Sequence, residues 1–515
     1  MKIKALYAAF MMAAPLLASC SDFFEQDSNH VVYTNGHSLH NATDTIYSVT
    51  GIQQKIQALA DRTILLGEVR GDLTDINSVT SSDLRDVALF KVGNDNVYNQ
   101  PRDYYAVINN CNYFLAKADT ALRDGSYNKV FIKEYAAVKA YRAWTYLQLA
   151  INYGKVPFVT TPILTKEAAD RDYPRKDLNE ICDYFIKDIQ PYVNEPYPGY
   201  GTIRSNDSRL FYFPIHLLLG DLNLWAGHYR EAALCYYRYI STRNGSNSTY
   251  ATGLSDVKWM ANSTNWQGIP INNWSRLFSN ESYYNNAELI TMIPGDSIPS
   301  EGNYGQLRNL FNSTEENKYK VSLVPSKAMQ ELSEEQMYCH ITSDGDTIYV
   351  PHTLPKHASG DLRYMLNVSE SDKSINGERI TTQHISKYAT RNVHIYRRTM
   401  VYLRMAEALN RAGFPRFAYR ILSTGVNNSV IEKDILPYYP DDEAYLKQFD
   451  FPTSRYVLSM ANQNTSMTNT MGLHDRGSGW SGANKYYRMP DDSTLTAANR
   501  LAYQIDGVEK MIADE

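Results

Sequence analysis

A chain of 515 residues that is 43% hydrophobic and 21% charged, with a formal net charge of −5, is long enough for a large buried core and has a globular composition. No Lys/Arg run or basic stripe occurs in it, which argues against nucleic acid as a partner. Tyrosine is the outlier, with 41 Tyr against 16 Phe and 6 Trp; its apolar ring and polar tip suit half-wet surfaces as well as cores.

The chain begins with Lys2 and Lys4, followed by an uncharged stretch rich in Ala, Met and Leu over residues 5–17. That stretch is shorter than the ~20 apolar residues a membrane-spanning helix needs, but it fits the apolar region of a secretory signal. Leu17-Ala18-Ser19-Cys20 resembles a bacterial lipobox. Residues 1–19 are therefore expected to be a lipoprotein signal peptide and Cys20 to carry the lipid. Several acyl chains would anchor it firmly to a membrane face. Residues 20–40 are polar and read as a tether. Cys111, Cys182, Cys235 and Cys339 remain, an even number that permits disulfides. Their spacing shows neither a dense disulfide framework nor a C-x-x-C metal pattern, so buried free thiols are expected.

Residues 41–515 read as one mainly α domain. Its helical body covers about 41–240, 385–440 and 494–515, with irregular excursions at about 241–384 and 441–493. Ile52, Ile56 and Leu59 recur at helical spacing. In "FIKEYAAVKAYRAWTYLQLAINYGKVPFV" a stripe of Phe131, Tyr135, Val138, Arg142 and Tyr146 runs beside Ala136, Ala137, Ala140 and Ala143, and Gly154 and Pro157 stop the helix. "LLGDLNLWAGHYREAALCYYRYI" follows the tetratricopeptide spacing. Gly220 and Ala232 lie where two helices cross closely, and Gly227 and Tyr229 lie in the turn. "YLRMAEALNRAGFPRFAYRIL" repeats the pattern with Ala406, Gly413 and Ala418. The first excursion is rich in Asn, Ser, Gly and Pro, holds Trp259, Trp266 and Trp274, and contains short β-like runs, "AELITMIP" and "DTIYVPH". A last helix is expected to place Leu501, Ile505, Val508 and Ile512 on one face.

Several separate blocks, in this order, resemble the SusD/RagB family of surface nutrient- or glycan-binding lipoproteins. They are "CSD" with nearby acids, "LLGEVRGDL" (65–73), "YYAVINNCNYFLAKAD" (104–119), "VKAYRAWTYLQLAINYGKVPFV" (138–159), "GDLR" (360–363), "ISKY" (385–388), "IYRRTMVYLRMAEALNRAG" (395–413) and "MGLHDRGSGW" (471–480). The resemblance implies four tetratricopeptide-like hairpins supporting an irregular ligand-binding part. It implies no catalysis and no cofactor. It also implies a surface-exposed outer-membrane lipoprotein of a Bacteroidetes-type cell, acting as a lid on a SusC-like TonB-dependent transporter and passing oligosaccharides into it. A departure is that family members continue past the equivalent of "VEKMIADE" into a further aromatic and arginine-containing stretch. Part of the family's site lies in the loop after the first helical block, which corresponds here to residues 71–99. Asp72, Asp75, Asn77 and Asn94 are its candidate polar contacts, and Arg70 is either a ligand contact or a salt-bridge partner.

Catalytic patterns are not evident in the residues themselves. The 11 histidines are scattered without H-E-x-x-H, and His216 and His228, in or beside the repeat, read as structural. "GSGWSGA" departs from the G-x-S-x-G elbow because position 483 is Ala. No phosphate or dinucleotide loop occurs, and no metal ligand set is marked, although an incidental Ca²⁺ is compatible with the acids. Aromatic rings can stack on the C–H faces of sugars while amides and carboxylates read the hydroxyls. On that ground Trp266, then Trp259, then Tyr283 or Tyr284 are the candidate stacking residues, with Trp480 in the glycine-rich loop. Trp144 and Trp225 read as packing, and Trp274 as core. The rival readings are a peptide-binding uptake lipoprotein, an all-helical surface glycoside hydrolase and a tetratricopeptide scaffold for another protein.

Overall fold

The computed structural model describes residues 44–242, 257–261, 266–272, 274–286, 288–295, 305–336, 339–341, 347–349, 360–375, 377–451, 472–478 and 487–515. The expected signal segment and tether, with Cys20, and also Trp480 lie outside them. Among the described residues the core is carried by helices α1 (Asp44–Glu68), α2 (Pro101–Lys117), α3 (Ile132–Tyr153), α4 (Leu178–Ile189), α5 (Ile215–Trp225), α6 (Tyr229–Thr242), α7 (Arg398–Arg411), α8 (Pro415–Ser423) and α9 (Ala497–Asp514). Each packs on the next in the series, so the helices form a continuous stack. The fold is mainly α, as expected.

Local sequence explains the helix ends. Pro101 and Pro415 occupy first-turn positions, where a missing N–H costs nothing. Asp177 and Glu180 form a reciprocal capping box on α4. Gly154, at φ 69°, ends α3 in a backbone conformation that suits glycine. All five alanines of α3 are buried, which lets its neighbours approach closely.

The two repeat-like segments form the hairpins α5–α6 and α7–α8. Gly220 faces the Tyr236 ring so closely that a Cβ would stand 2.5 Å from it. The Tyr236 hydroxyl donates to Asp221 Oδ1 at 2.7 Å, which fixes the ring. Gly227 and Gly413 turn at φ 79° and 94°. The excursion between Thr242 and Arg398 leaves the stack unbroken, because α6 packs directly on α7.

The extended segments are short antiparallel pairs. Strand β1 (Thr74–Ile76) pairs with β3 (Leu323–Pro325), tying the first loop to the excursion. Strand β2 (Leu289–Ile293), from the "AELITMIP" run, pairs with β6 (Val393–Arg397), and β4 (Val368–Ile375) with β5 (Glu378–Ile385). The "DTIYVPH" run contributes Thr347–Tyr349.

Two expectations are corrected. Val508 is buried as expected, but Leu501 is exposed and α9 buries Gln504 beside Val508. Polar docking sets this rotation: Asn410 donates to the Ile505 carbonyl and to Glu509. Trp225, expected to pack, is 48% exposed at the end of α5, whereas Trp144 is buried and stacks on Phe213 at 4.7 Å. Cys111, Cys182 and Cys235 are buried free thiols, each pushed up to about 12 by burial, so they stay protonated and inert. The Cys339 side chain lies outside the described residues.

Candidate functional site

A cavity of about 450 Å³ opens between α3, the loop at 193–198 and the segment leading into α5. Its volume falls in the ~300–1,000 Å³ range of small-molecule sites. The loop carries Pro196 and Pro198, which lack N–H donors and hold it extended, with Tyr197 between them. On the α3 side Ala136 and Ala137 leave the space open. Rings of Tyr197, Tyr212, Phe213, Tyr239 and Tyr283 line it, with Lys133, Asn194, Glu195, Arg209 and His216 as polar lining.

A second layer of rings holds the first. Tyr212 stacks between Tyr197 and Tyr141, with ring centres 5.9 and 6.1 Å away. Phe213 lies on Trp144. Arg209 fixes the outer edge. Asp207 caps its own short helix by accepting from the Arg209 N–H at 3.0 Å, and its carboxylate takes the Arg209 guanidinium in a two-point clamp at 2.9 and 2.5 Å. That clamp holds the Asp207 carboxyl below its usual range. The guanidinium lies 3.9 Å from the Tyr283 ring centre and donates to the Tyr284 hydroxyl at 2.6 Å. Tyr283 and Tyr284 meet edge to face. Burial, with Arg238 nearby, lowers His216, so its ring is neutral near pH 7 and can both donate and accept. Burial raises Tyr212 well above the ordinary phenol range, which keeps its hydroxyl neutral. The arrangement offers aromatic faces beside both neutral and charged hydrogen-bonding groups, which suits a ring-shaped ligand rich in hydroxyls.

Of the residues proposed from sequence, Tyr283 lines this cavity and Tyr284 braces it while remaining 54% exposed. The loop candidates lie elsewhere, before, on and after β1. Asp72, Asp75 and Asn94 are exposed. Asn77 is committed to the fold: its amide donates to the Val321 carbonyl at 2.8 Å and accepts from the Val79 N–H at 3.0 Å. Arg70 packs over the exposed Phe90 ring at 5.4 Å. Trp259 and Trp266 lie on two paired strands, Val257–Ala261 and Trp266–Asn272, and their side chains lie outside the described residues. Sequence reasoning did not single out Tyr197, Arg209, Tyr212 or Tyr239, and it read His216 as structural. The available signal was "NEPYPGYGTIRSND", where tyrosines alternate with Pro and Gly in a non-helical stretch.

The sequence matches no protein-family model and no curated protein. Solved structures do resemble it. A putative sugar-binding protein from Bacteroides vulgatus superposes with a TM-score of 0.52 at 15% identity, covering 85% of this chain and 92% of that one. A SusD-like protein from Bacteroides fragilis gives 0.51 at 14%, covering 82% and 86%. A SusD superfamily protein from Bacteroides thetaiotaomicron gives 0.50 at 17%, covering 92% of both chains. The fold likeness thus runs over most of the chain at low identity.

Proposed function

We propose that this chain is a non-catalytic binding protein that captures an oligosaccharide at the cell surface and passes it to a SusC-like TonB-dependent outer-membrane transporter. The observation that carries the reading is the cavity in which Arg209 braces Tyr283 and Tyr284 beside Tyr197, Tyr212 and Tyr239. Glu195 is the one carboxylate among its described lining residues, whereas glycoside hydrolysis uses a pair. Binding there uses ring stacking and hydrogen bonds to the polar lining. Among the described residues no group of three or more His, Cys, Asp or Glu is arranged to hold an ion.

The SusD-like fold and the lipobox-like Cys20 support a surface position. No described helix is long and apolar enough to cross a membrane, so Cys20 supplies the attachment in this reading. Delivery is tested by co-purification: detergent extracts of the native host should yield the chain with a TonB-dependent transporter. Cys20→Ala should release the chain from the membrane fraction. Recovery of the Cys20→Ala chain in the outer membrane would contradict lipid anchoring. The ligand class is tested by titrating neutral oligosaccharides and short peptides. Saturable sugar binding without product release supports the proposal, and peptide binding alone contradicts it.

A further inference from the structure

A second cavity, of about 190 Å³, lies between the excursion and the α9 end of the body, and its wall is chemically unlike the first. Phe278, Met329, Leu332 and Tyr364 give it an apolar side. Four cations line it, and three are matched by acids. Lys387 donates to Glu68 at 2.9 Å, Arg476 to Glu288 at 2.9 Å, and Arg363 to Asp361 and Glu515 at 2.6 and 2.7 Å. The fourth is Arg397, whose guanidinium makes no hydrogen bond or ion pair among the described residues and lies 4.9 Å from the Phe278 ring centre. It also lines the small adjoining cavity with Lys387. Glu68 and Glu288 act on Arg397 through space, but their carboxylates are already hydrogen-bonded by other groups. Asp514 also lines the cavity, and burial together with Glu515 raises its carboxyl above the ordinary value. A second polar group is unmet: Gln336 Oε1 is buried without a hydrogen-bond partner. A part-buried guanidinium beside an apolar wall and a bare acceptor is costly unless something fills the space.

We propose that this cavity is a subsite for one acidic sugar unit, a uronate. Arg397 takes its carboxylate, Gln336 Oε1 accepts a hydroxyl, and Phe278 and Met329 face its C–H side. The volume, below the ~300 Å³ of a drug-sized site, limits the occupant to about one ring. The guanidinium fork favours a planar carboxylate over a lone hydroxyl. This goes beyond the oligosaccharide reading and rests on it for the sugar ring.

The test is calorimetric titration of the full chain with methyl glucuronide, methyl glucoside and an N-acetyl dipeptide. The glucuronide is expected to bind about tenfold more tightly than the glucoside, the gain of a charge-assisted contact. Arg397→Gln should erase that difference. Where Arg397→Gln does not give a wild-type melting curve, Leu332→Trp decides, since its larger ring occupies the cavity while every ion-pairing residue is kept. Equal affinity for the two glycosides, unchanged selectivity in the folded variant, or preference for the dipeptide overturns the proposal. Glucuronide binding with no neutral oligosaccharide binding anywhere supports this subsite and counts against the wider reading instead.

Discussion

Arg209 and Tyr283 set the expectations at the scale of single residues. Tyr283 contributes a ring face that is part-exposed and peripheral to the core, so its removal should affect the ligand more than the fold. Tyr283→Ala is expected to weaken oligosaccharide binding about tenfold in calorimetry, with the melting temperature unchanged. Arg209→Lys keeps the charge but loses the two-point clamp on Asp207 and the planar contact with Tyr283. It should weaken binding by about threefold, in the same direction as Tyr283→Ala and by less. Alanine at Trp266 or Trp259 should weaken binding without unfolding the chain. Matching losses of binding and thermal stability would assign those tryptophans to packing.

At the scale of elements, the hairpins were the most legible part of the sequence and the cavity the least. Gly227, Gly413 and the small residues at 220, 406, 232 and 418 announce close crossings because sterics leave few alternatives there. Gly220→Ala should therefore lower the unfolding free energy by about 1–3 kcal/mol in urea titrations. The Tyr236 ring it would strike is buried and tied to Asp221, so it has nowhere to move. The last helix shows where periodicity alone falls short. Leu501 fits an apolar stripe, but the facing surface offers Asn410, so the helix turns Gln504 and Val508 inward. The cavity was not legible because its wall combines a Pro-rich loop, the start of α5 and Tyr283 from the far excursion. No spacing rule links such segments; only the packed fold brings them together.

At the scale of the whole molecule, buried ion pairs join parts of the chain that are remote in sequence. Glu288, beside β2, meets Arg476 at 2.9 Å and Thr399 at the start of α7. Burial pushes its carboxyl up, but Arg476 and Arg398 outweigh that and hold it at about 2, against an ordinary 4.5. The stabilisation it provides is therefore complete above about 4.5 and is lost as pH falls from there toward 2. Glu288→Gln leaves Arg476 buried without its acid and should cost about 3–5 kcal/mol at pH 7. The gap between wild type and variant in thermal or urea unfolding should narrow as pH drops below about 4.5; a gap that is constant from pH 7 to pH 3 would contradict this assignment. Through Thr399, Glu288 fastens the irregular excursion to the helical stack that also borders the Tyr283-lined cavity. The claim that this cavity binds sugar is tested most directly by calorimetric titration of neutral oligosaccharides into the wild-type chain and Tyr283→Ala. The account predicts saturable binding to the wild type and about tenfold weaker binding to an equally stable variant. Equal affinity in the two proteins, or no oligosaccharide binding by the wild type, would contradict it.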